Sequence, residues 1–272
     1  MKFKGLVFCT DLDGTLYKSD KTISKENKEA IEYFKSEGGI FTFITGRMPC
    51  YSIDACERIE PNAPYGCING GGLFDYATDS YVFAETINPK AKEFIDFVDA
   101  RFPKVGITMQ GLRNVYTCKE SERLKIFRST KNIPYIPRNC HEVDEDCGKL
   151  LFAVEEEEIM RSLIEALSAH PLAKDFTLIR SERTLFEILP KGVDKGLALN
   201  KLVSYLGANP EKTIAIGDYY NDIPMFREAK LGIAVKNACE EAKAAADYIT
   251  VSNNEHAIAK VIRDIEDGIL KI

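Results

Sequence analysis

The stretch LVFCTDLDGT, residues 6–15, places an apolar run directly before two acids, a glycine and a threonine. The apolar run predicts a buried strand. Because side chains alternate along an extended segment, Asp11 and Asp13 start on the same side of the chain. One carboxylate can attack an electrophile while the other moves a proton, and both suit Mg2+ as hard oxygen ligands. Taken alone, the same residues could form a solvated β-turn.

A second apolar run, residues 40–44, predicts another buried strand. Thr45 and Gly46 follow its end, where a hydroxyl and backbone N–H groups suit a phosphate oxygen, and Arg47 adds a charged donor. A third strand, predicted over residues 65–68, is followed by Asn69, which could touch a substrate. The alternatives are a capping threonine, a surface arginine and a flexible glycine-rich turn.

The segment GDYYND, residues 217–222, follows a fourth apolar run and again delivers an acid through a glycine. Asp218, Asn221 and Asp222 can bind or orient a metal ion because they offer carboxylate and amide oxygens within five residues. The alternative is a helix N-terminus carrying Asn and Asp caps, and Asp222 could serve both purposes.

Lys195 opens a helix predicted from the apolar spacing of residues 197–206. Asp194 is a suitable N-cap for that helix, and Gly207 suits its end. A cation in the first helical turn opposes the helix dipole, so the placement is unfavourable for a structural lysine. It makes sense if Lys195 faces an anion, whereas a solvated surface lysine is the alternative.

The alternation of strands and helices predicts an α/β fold with a doubly wound parallel sheet. Ligands of such sheets bind beyond the carboxyl ends of the strands. Four polar side chains distant in sequence are therefore expected in one pocket: Asp11, Thr45, Asn69 and Asp218. Residues 86–188 contain none of these motifs, and their pattern predicts an inserted α+β domain.

Together these ordered segments resemble the four motifs of the haloacid dehalogenase (HAD) superfamily, and their surroundings are similar to its Cof-type branch. The resemblance implies a Rossmann-like HAD core built from residues 1–85 and 189–272. It also implies that residues 86–188 form a C2-type cap, as in class IIB members, with hinges where the chain crosses between the two domains.

The resemblance further implies a role for each candidate residue. Asp11 would be the nucleophile and Asp13 the general acid and base. Mg2+ would be the cofactor, held by Asp11, Asp13 through its backbone carbonyl, and Asp218. Asn221 and Asp222 would orient Lys195 or metal-bound water. The candidate phosphate-binding residues are Thr45, Gly46, Lys195 and Asn221, and the candidate substrate contacts are Arg47 and Asn69.

The expected activity is a Mg2+-dependent phosphatase that acts through an aspartyl-phosphate on small phosphorylated metabolites, sugar phosphates first. A phosphomutase or phosphotransferase could use the same residues. A regulator that binds phosphometabolites without turnover is the alternative outside enzymes, although such a protein would not need both acids.

Composition narrows the possible partners. The net charge is -6 with no basic run, which argues against nucleic acid. No apolar stretch reaches the ~20 residues that a membrane span needs. The apolar run near the start is too short for a signal peptide. We therefore expect a cytoplasmic protein that is a monomer or a weak homo-oligomer.

The eight cysteines form no CxxC pair, and several stand in apolar patterns. Their expected state is reduced and buried, without a disulfide framework. Zinc is also not expected, because His141 beside Cys140 and Cys147 lacks paired-ligand spacing.

Overall fold

The computed structural model describes residues 1–272, which divide into two compact units. The first unit contains Met1–Gly46, Ile53–Phe83 and Asp194–Ile272. The second contains Ala84–Val193 together with the short segment Arg47–Ser52. None of the helices combines the length and the apolar character that crossing a lipid bilayer requires.

The regular elements are fourteen strands and nine α-helices. The strands are β1 (Val7–Thr10), β2 (Ile40–Phe43), β3 (Tyr65–Cys67), β4 (Gly72–Asp75), β5 (Ser80–Ala84), β6 (Gly106–Gly111), β7 (Val115–Lys119), β8 (Ile136–Pro137), β9 (Cys147–Ala153), β10 (Phe176–Glu182), β11 (Leu185–Pro190), β12 (Thr213–Gly217), β13 (Leu231–Ala234) and β14 (Tyr248–Ile249). The helices are α1 (Lys25–Ser36), α2 (Ile53–Ile59), α3 (Lys92–Arg101), α4 (Glu122–Lys131), α5 (Glu157–Ser168), α6 (Lys195–Leu206), α7 (Ile223–Glu228), α8 (Glu240–Ala245) and α9 (Ala257–Glu266).

The main sheet of the first unit has the strand order β14-β13-β12-β1-β2, and its neighbours pair in parallel. Every residue of β1 is buried, as expected for a parallel sheet covered on both faces. Thr10 pairs with Phe43 on one side and with Ile216 on the other. The carboxyl ends of β1, β2 and β12 therefore lie at one edge, and the predicted α/β parallel-sheet fold is confirmed.

Local sequence signals account for the helices that flank this sheet. Ser24 caps α1 by accepting the backbone N–H of Asn27, and Phe34 of this helix packs its ring against Phe8 of β1. Asp194 caps α6 by accepting the N–H of Leu197 at 2.9 Å. Gly207 ends α6 in the left-handed conformation, so both predicted ends of this helix are confirmed.

The second unit is built on a six-stranded sheet with the order β10-β11-β9-β6-β7-β8. Its apolar cluster includes Phe94 and Leu163, from α3 and α5, together with Phe152 of β9. Because side chains alternate along a strand, the polar side chains Lys149 and Glu187 belong to the opposite face of the sheet. They form an ion pair at 2.6 Å, with side-chain exposures of only 1% and 2%.

The expectation that the cysteines are all reduced is wrong for one pair. Cys118 of β7 and Cys140 form a disulfide, with their Cα atoms 5.3 Å apart. The sequence pattern missed this pair because 22 residues, including α4 and β8, separate the two cysteines along the chain. The other six cysteines are free.

Candidate active site

The candidate site begins where the parallel strands of the main sheet end. Asp11 directly follows β1, and its backbone N–H donates to the carbonyl of Ile216 in β12 at 2.8 Å. Asp218 directly follows β12. Thr45 lies two residues beyond β2 and donates its N–H to the carbonyl of Gly66 in β3 at 2.9 Å. The register of the sheet thus brings together residues that are far apart in sequence.

Lys195 lies beside these strand-end residues and is fully buried. Its Nζ is 2.5 Å from Oδ1 of Asp11 and 2.5 Å from Oδ1 of Asp222. Burial alone would lower the pKa of Lys195, but the two carboxylates raise it above its ordinary value. The side chain is therefore a buried cation held by two acids, and the solvated alternative is excluded.

Asp222 uses both of its oxygens within the site. Oδ1 accepts from Lys195, while Oδ2 accepts the backbone N–H groups of Asp218 and Tyr219 at 2.8 and 2.9 Å. A Cβ on Gly217 would come within 2.3 Å of the Asp222 carboxyl carbon, so glycine permits this close approach. Asp222 thus fixes the loop after β12 and the position of Lys195 together.

Three buried or half-buried carboxylates offer oxygens within 4.8 Å of one another: Asp11, Asp218 and Asp222. Burial raises the pKa of Asp11 to about 7, against the opposing effect of Lys195. Burial, followed by the charges of Asp11 and Asp222, raises the pKa of Asp218 well above its ordinary value. Three carboxylates this close together repel one another, and one lysine neutralises only part of their charge.

This donor set fits a hard divalent cation such as Mg2+, which prefers carboxylate oxygens. Because both oxygens of Asp222 already accept hydrogen bonds, Asp11 and Asp218 are the carboxylates that could hold a metal ion. Asp13 is partly exposed and forms an ion pair with Lys21 at 3.2 Å. Its side chain is therefore outside the carboxylate group, and only its backbone carbonyl is a candidate ligand.

The turn after β1 adds a contact that the sequence analysis did not assign. Thr15 is buried, and its hydroxyl donates to Oδ1 of Asp218 at 3.2 Å. Gly14 has a φ of +85°, and a Cβ there would lie 2.4 Å from Oδ2 of Asp218. The only feature of the sequence that could have indicated this contact is the hydroxyl of Thr15 at the end of the DLDGT stretch.

The amide side chains of the site form a second buried group. Nδ2 of Asn221 donates to Oδ1 of Asn69 at 3.0 Å, and the backbone N–H of Asn69 donates to the carbonyl of Thr45 at 3.0 Å. A Cβ on Gly46 would lie 2.9 Å from Oδ1 of Asn69. The structure therefore brings four of the predicted site residues together: Thr45, Gly46, Asn69 and Asn221.

Arg47 belongs to the second unit, where its Nη1 donates to the carbonyl of Tyr51 at 3.3 Å. The hydroxyl of Tyr51 in turn donates to Oε1 of Gln110 at 3.2 Å. The sequence analysis singled out neither Tyr51 nor Gln110, because nothing in the local pattern around them indicates a polar contact between distant segments.

The family described as haloacid dehalogenase-like hydrolase matches residues 8–262. The chain belongs to this family. The resemblance drawn from the motifs is thus confirmed, and so is the expectation of an enzyme.

Other members of the haloacid dehalogenase-like family align along nearly the whole chain. Two Bacillus subtilis proteins, the 5-amino-6-(5-phospho-D-ribitylamino)uracil phosphatases YcsE and YitU, are each 27% identical to it, over 256 and 270 residues. These alignments cover 93% and 97% of this chain and 92% and 98% of the relatives. A haloacid dehalogenase-like hydrolase of Bacteroides thetaiotaomicron superposes with a TM-score of 0.83 at 26% identity, covering 96% of this chain and all of that one.

Proposed function

We propose that this haloacid dehalogenase-like hydrolase is a Mg2+-dependent phosphatase of small phosphorylated metabolites, sugar phosphates first. The observation that carries the proposal is the placement of Asp11. Its carboxylate is buried at the end of a central strand, 2.5 Å from the Lys195 ammonium and within the carboxylate group that fits a divalent cation. A nucleophile needs this combination of fixed position and nearby positive charge.

In the proposed mechanism the Asp11 carboxylate attacks phosphorus in line with the leaving oxygen. The new bond makes an aspartyl-phosphate as the bond to the leaving oxygen breaks, and Asp13 donates the proton which that oxygen needs. Asp13 then takes a proton from water, and this water attacks the phosphorus, releasing phosphate and regenerating Asp11. Asp13 is suited to exchange a proton with water because its side chain is partly exposed to solvent.

Mg2+, when bound by Asp11, Asp218 and the Asp13 carbonyl, would neutralise charge on the phosphoryl oxygens. The chain's own donors would complete the stabilisation of the equatorial oxygens, where charge must be held during transfer. These donors are Lys195, the Asn221 amide and the Thr45–Gly46 segment.

The proposed substrate class comes from the names of relatives. Two relatives carry names that specify a phosphorylated ribityl chain. Sugar phosphates and phosphorylated polyols are therefore the first compounds to test.

We propose that residues 86–188 act as the cap and select the leaving group. The cytoplasmic location expected from the sequence stays a prediction.

The decisive experiment measures phosphate release from a panel of sugar phosphates, polyol phosphates and a phosphoribityl aminouracil, with Mg2+ and with a chelator. Wild type is compared with Asp11→Asn, and Asp144→Asn serves as a matched change at an exposed acid. Mg2+-dependent release that only Asp11→Asn loses would support the proposal. Transfer of the phosphoryl group to a second hydroxyl, without free phosphate, would replace it with a phosphotransferase. Folded wild-type protein that acts on no compound would refute it for these substrates.

A further inference from the structure

The turn that follows β3 has an unusual backbone. Ile68, Asn69 and Gly70 all have positive φ angles, of 55°, 52° and 99°. Glycine adopts this region freely and asparagine tolerates it, but a β-branched residue such as Ile68 does so only at a cost. A conformation of this kind persists where the surrounding structure fixes it, and it is concentrated at functional segments.

Three other segments of the site meet this turn. Asn69 contacts the Thr45–Gly46 segment through its backbone N–H and lies against Gly46. Its side chain accepts the amide of Asn221. A Cβ on Gly70 would be 1.8 Å from the carbonyl oxygen of Asp194, the residue that caps the helix of Lys195. The turn therefore packs against all three segments proposed to hold phosphate.

The contacts of Asn69 argue against direct contact with substrate. Its Oδ1 accepts Nδ2 of Asn221 and its backbone N–H donates to the carbonyl of Thr45, so both groups already have partners within the protein. An amide nitrogen carries two hydrogens, so a bond from one of them to Asn69 also fixes the direction of the other. Asn221 is itself 6% exposed, which leaves its amide few alternative orientations.

We infer that Asn69 is a positioning residue, which orients the Asn221 amide and the Thr45–Gly46 backbone toward the phosphate. The inference rests on the proposed function, because it takes that site as the place where phosphate binds. It replaces the role of substrate contact that the sequence suggested for Asn69. It also gives a reason for the strained turn, since this backbone path brings Asn69 against both neighbouring segments.

The test is a double-mutant cycle on Asn69→Gly and Asn221→Ala. Glycine keeps the left-handed backbone of residue 69 while removing its amide, so the turn itself is preserved. The readout is the dissociation constant of inorganic phosphate in the presence of Mg2+, measured by titration calorimetry. A purely structural role would lower the melting temperature and the active fraction, but it would not change this constant.

Each single variant should weaken phosphate binding about tenfold, as expected for a hydrogen bond that orients a donor to a charged group. The double variant should bind phosphate as tightly as the more affected single variant, because both changes break the same contact. Asn132→Gly is the control, since Asn132 is also left-handed, with a φ of 49°, but ends α4 in the second unit. It should leave the constant unchanged.

Three results would overturn the inference. The losses of phosphate affinity could multiply in the double variant, the dissociation constant could be unchanged in Asn69→Gly, or the wild type could bind no phosphate. Hydrolysis is assayed separately on the same wild-type protein. Phosphate binding without hydrolysis of any ester would refute the proposed function. The double-mutant cycle would still test the positioning role of Asn69, because its readout is phosphate binding. The two failures are therefore distinguishable.

Discussion

The ammonium of Lys195 lies 2.5 Å from a carboxylate oxygen of Asp11, although 184 residues separate the two in sequence. Each residue reaches this position through a local feature: Asp11 ends a central strand, and Lys195 begins a helix capped by Asp194. The pair is buried, and Asp222 makes a second contact to the same ammonium. This relationship supplies the first prediction.

Replacing Lys195 with methionine should lower the free energy of unfolding by about 3–5 kcal/mol in the presence of chelator, because removing one partner leaves a buried charge uncompensated. Denaturant unfolding measures the effect, with Lys174→Met at an exposed position as the control. Adding Asp11→Asn to the variant should restore part of the loss. An unfolding free energy equal to that of wild type would contradict the buried pair.

Asp218→Asn should raise the melting temperature of the metal-free protein by a few degrees at pH 8. Burial and the charges of Asp11 and Asp222 raise the pKa of Asp218, so ionising it costs stability in the folded state, and asparagine removes that cost. Mg2+ should then stabilise wild type more than the variant. Calorimetry with chelator and with Mg2+ measures both effects, and Asp144→Asn should change neither. Equal stabilisation of wild type and Asp218→Asn by Mg2+ would remove Asp218 from the metal site.

The buried pair Lys149–Glu187 of the second unit gives an independent stability test. Lys149→Met should cost about 3–5 kcal/mol of unfolding free energy, and the double change Lys149→Met with Glu187→Leu should recover most of it. The exposed pair Lys230–Glu211 is the matched control, with side-chain exposures of 47% and 71%. Lys230→Met should cost less than about 1 kcal/mol. Similar losses at the two pairs would contradict the role of burial.

Thiol titration tests the disulfide between Cys118 and Cys140. The denatured, unreduced protein should show six free thiols, and eight after reduction, because six of the eight cysteines are free. A cross-link across 22 residues should stabilise the fold, and the chain-entropy estimate is about 3 kcal/mol. Cys118→Ser should therefore lower the melting temperature, whereas Cys50→Ser should change it little. Eight free thiols without reduction would contradict the bond.

The strands and helices of the site could be predicted from sequence because each depends on nearby residues. The apolar run before Asp11, the N-cap Asp194 and the glycine that ends α6 are local signals, and the structure bears them out. Strand-end placement also predicted that Asp11, Thr45, Asn69 and Asp218 share one edge. That prediction follows from a general property of parallel sheets and needs no contact distances.

The partners of those residues could not be predicted in the same way. The sequence suggested an anion for Lys195, and the family resemblance offered Asp222 as a residue that orients it, but neither identified the Asp11 carboxylate as its partner. It named Asn69 as a candidate substrate contact, but it did not indicate that the side chain of Asn69 would accept the amide of Asn221. The sequence also gave no sign that Asp222 would use both oxygens within the protein.

The sequence alone therefore determined the family, the strand-and-helix order and the set of polar residues at the sheet edge, because periodicity, caps and motif spacing are properties of short segments. The tertiary structure alone decided which of those residues touch, which carboxylates carry raised pKa values, and which cysteines pair. These outcomes depend on strand register, burial and packing between segments 184 and 203 positions apart, which no local pattern encodes.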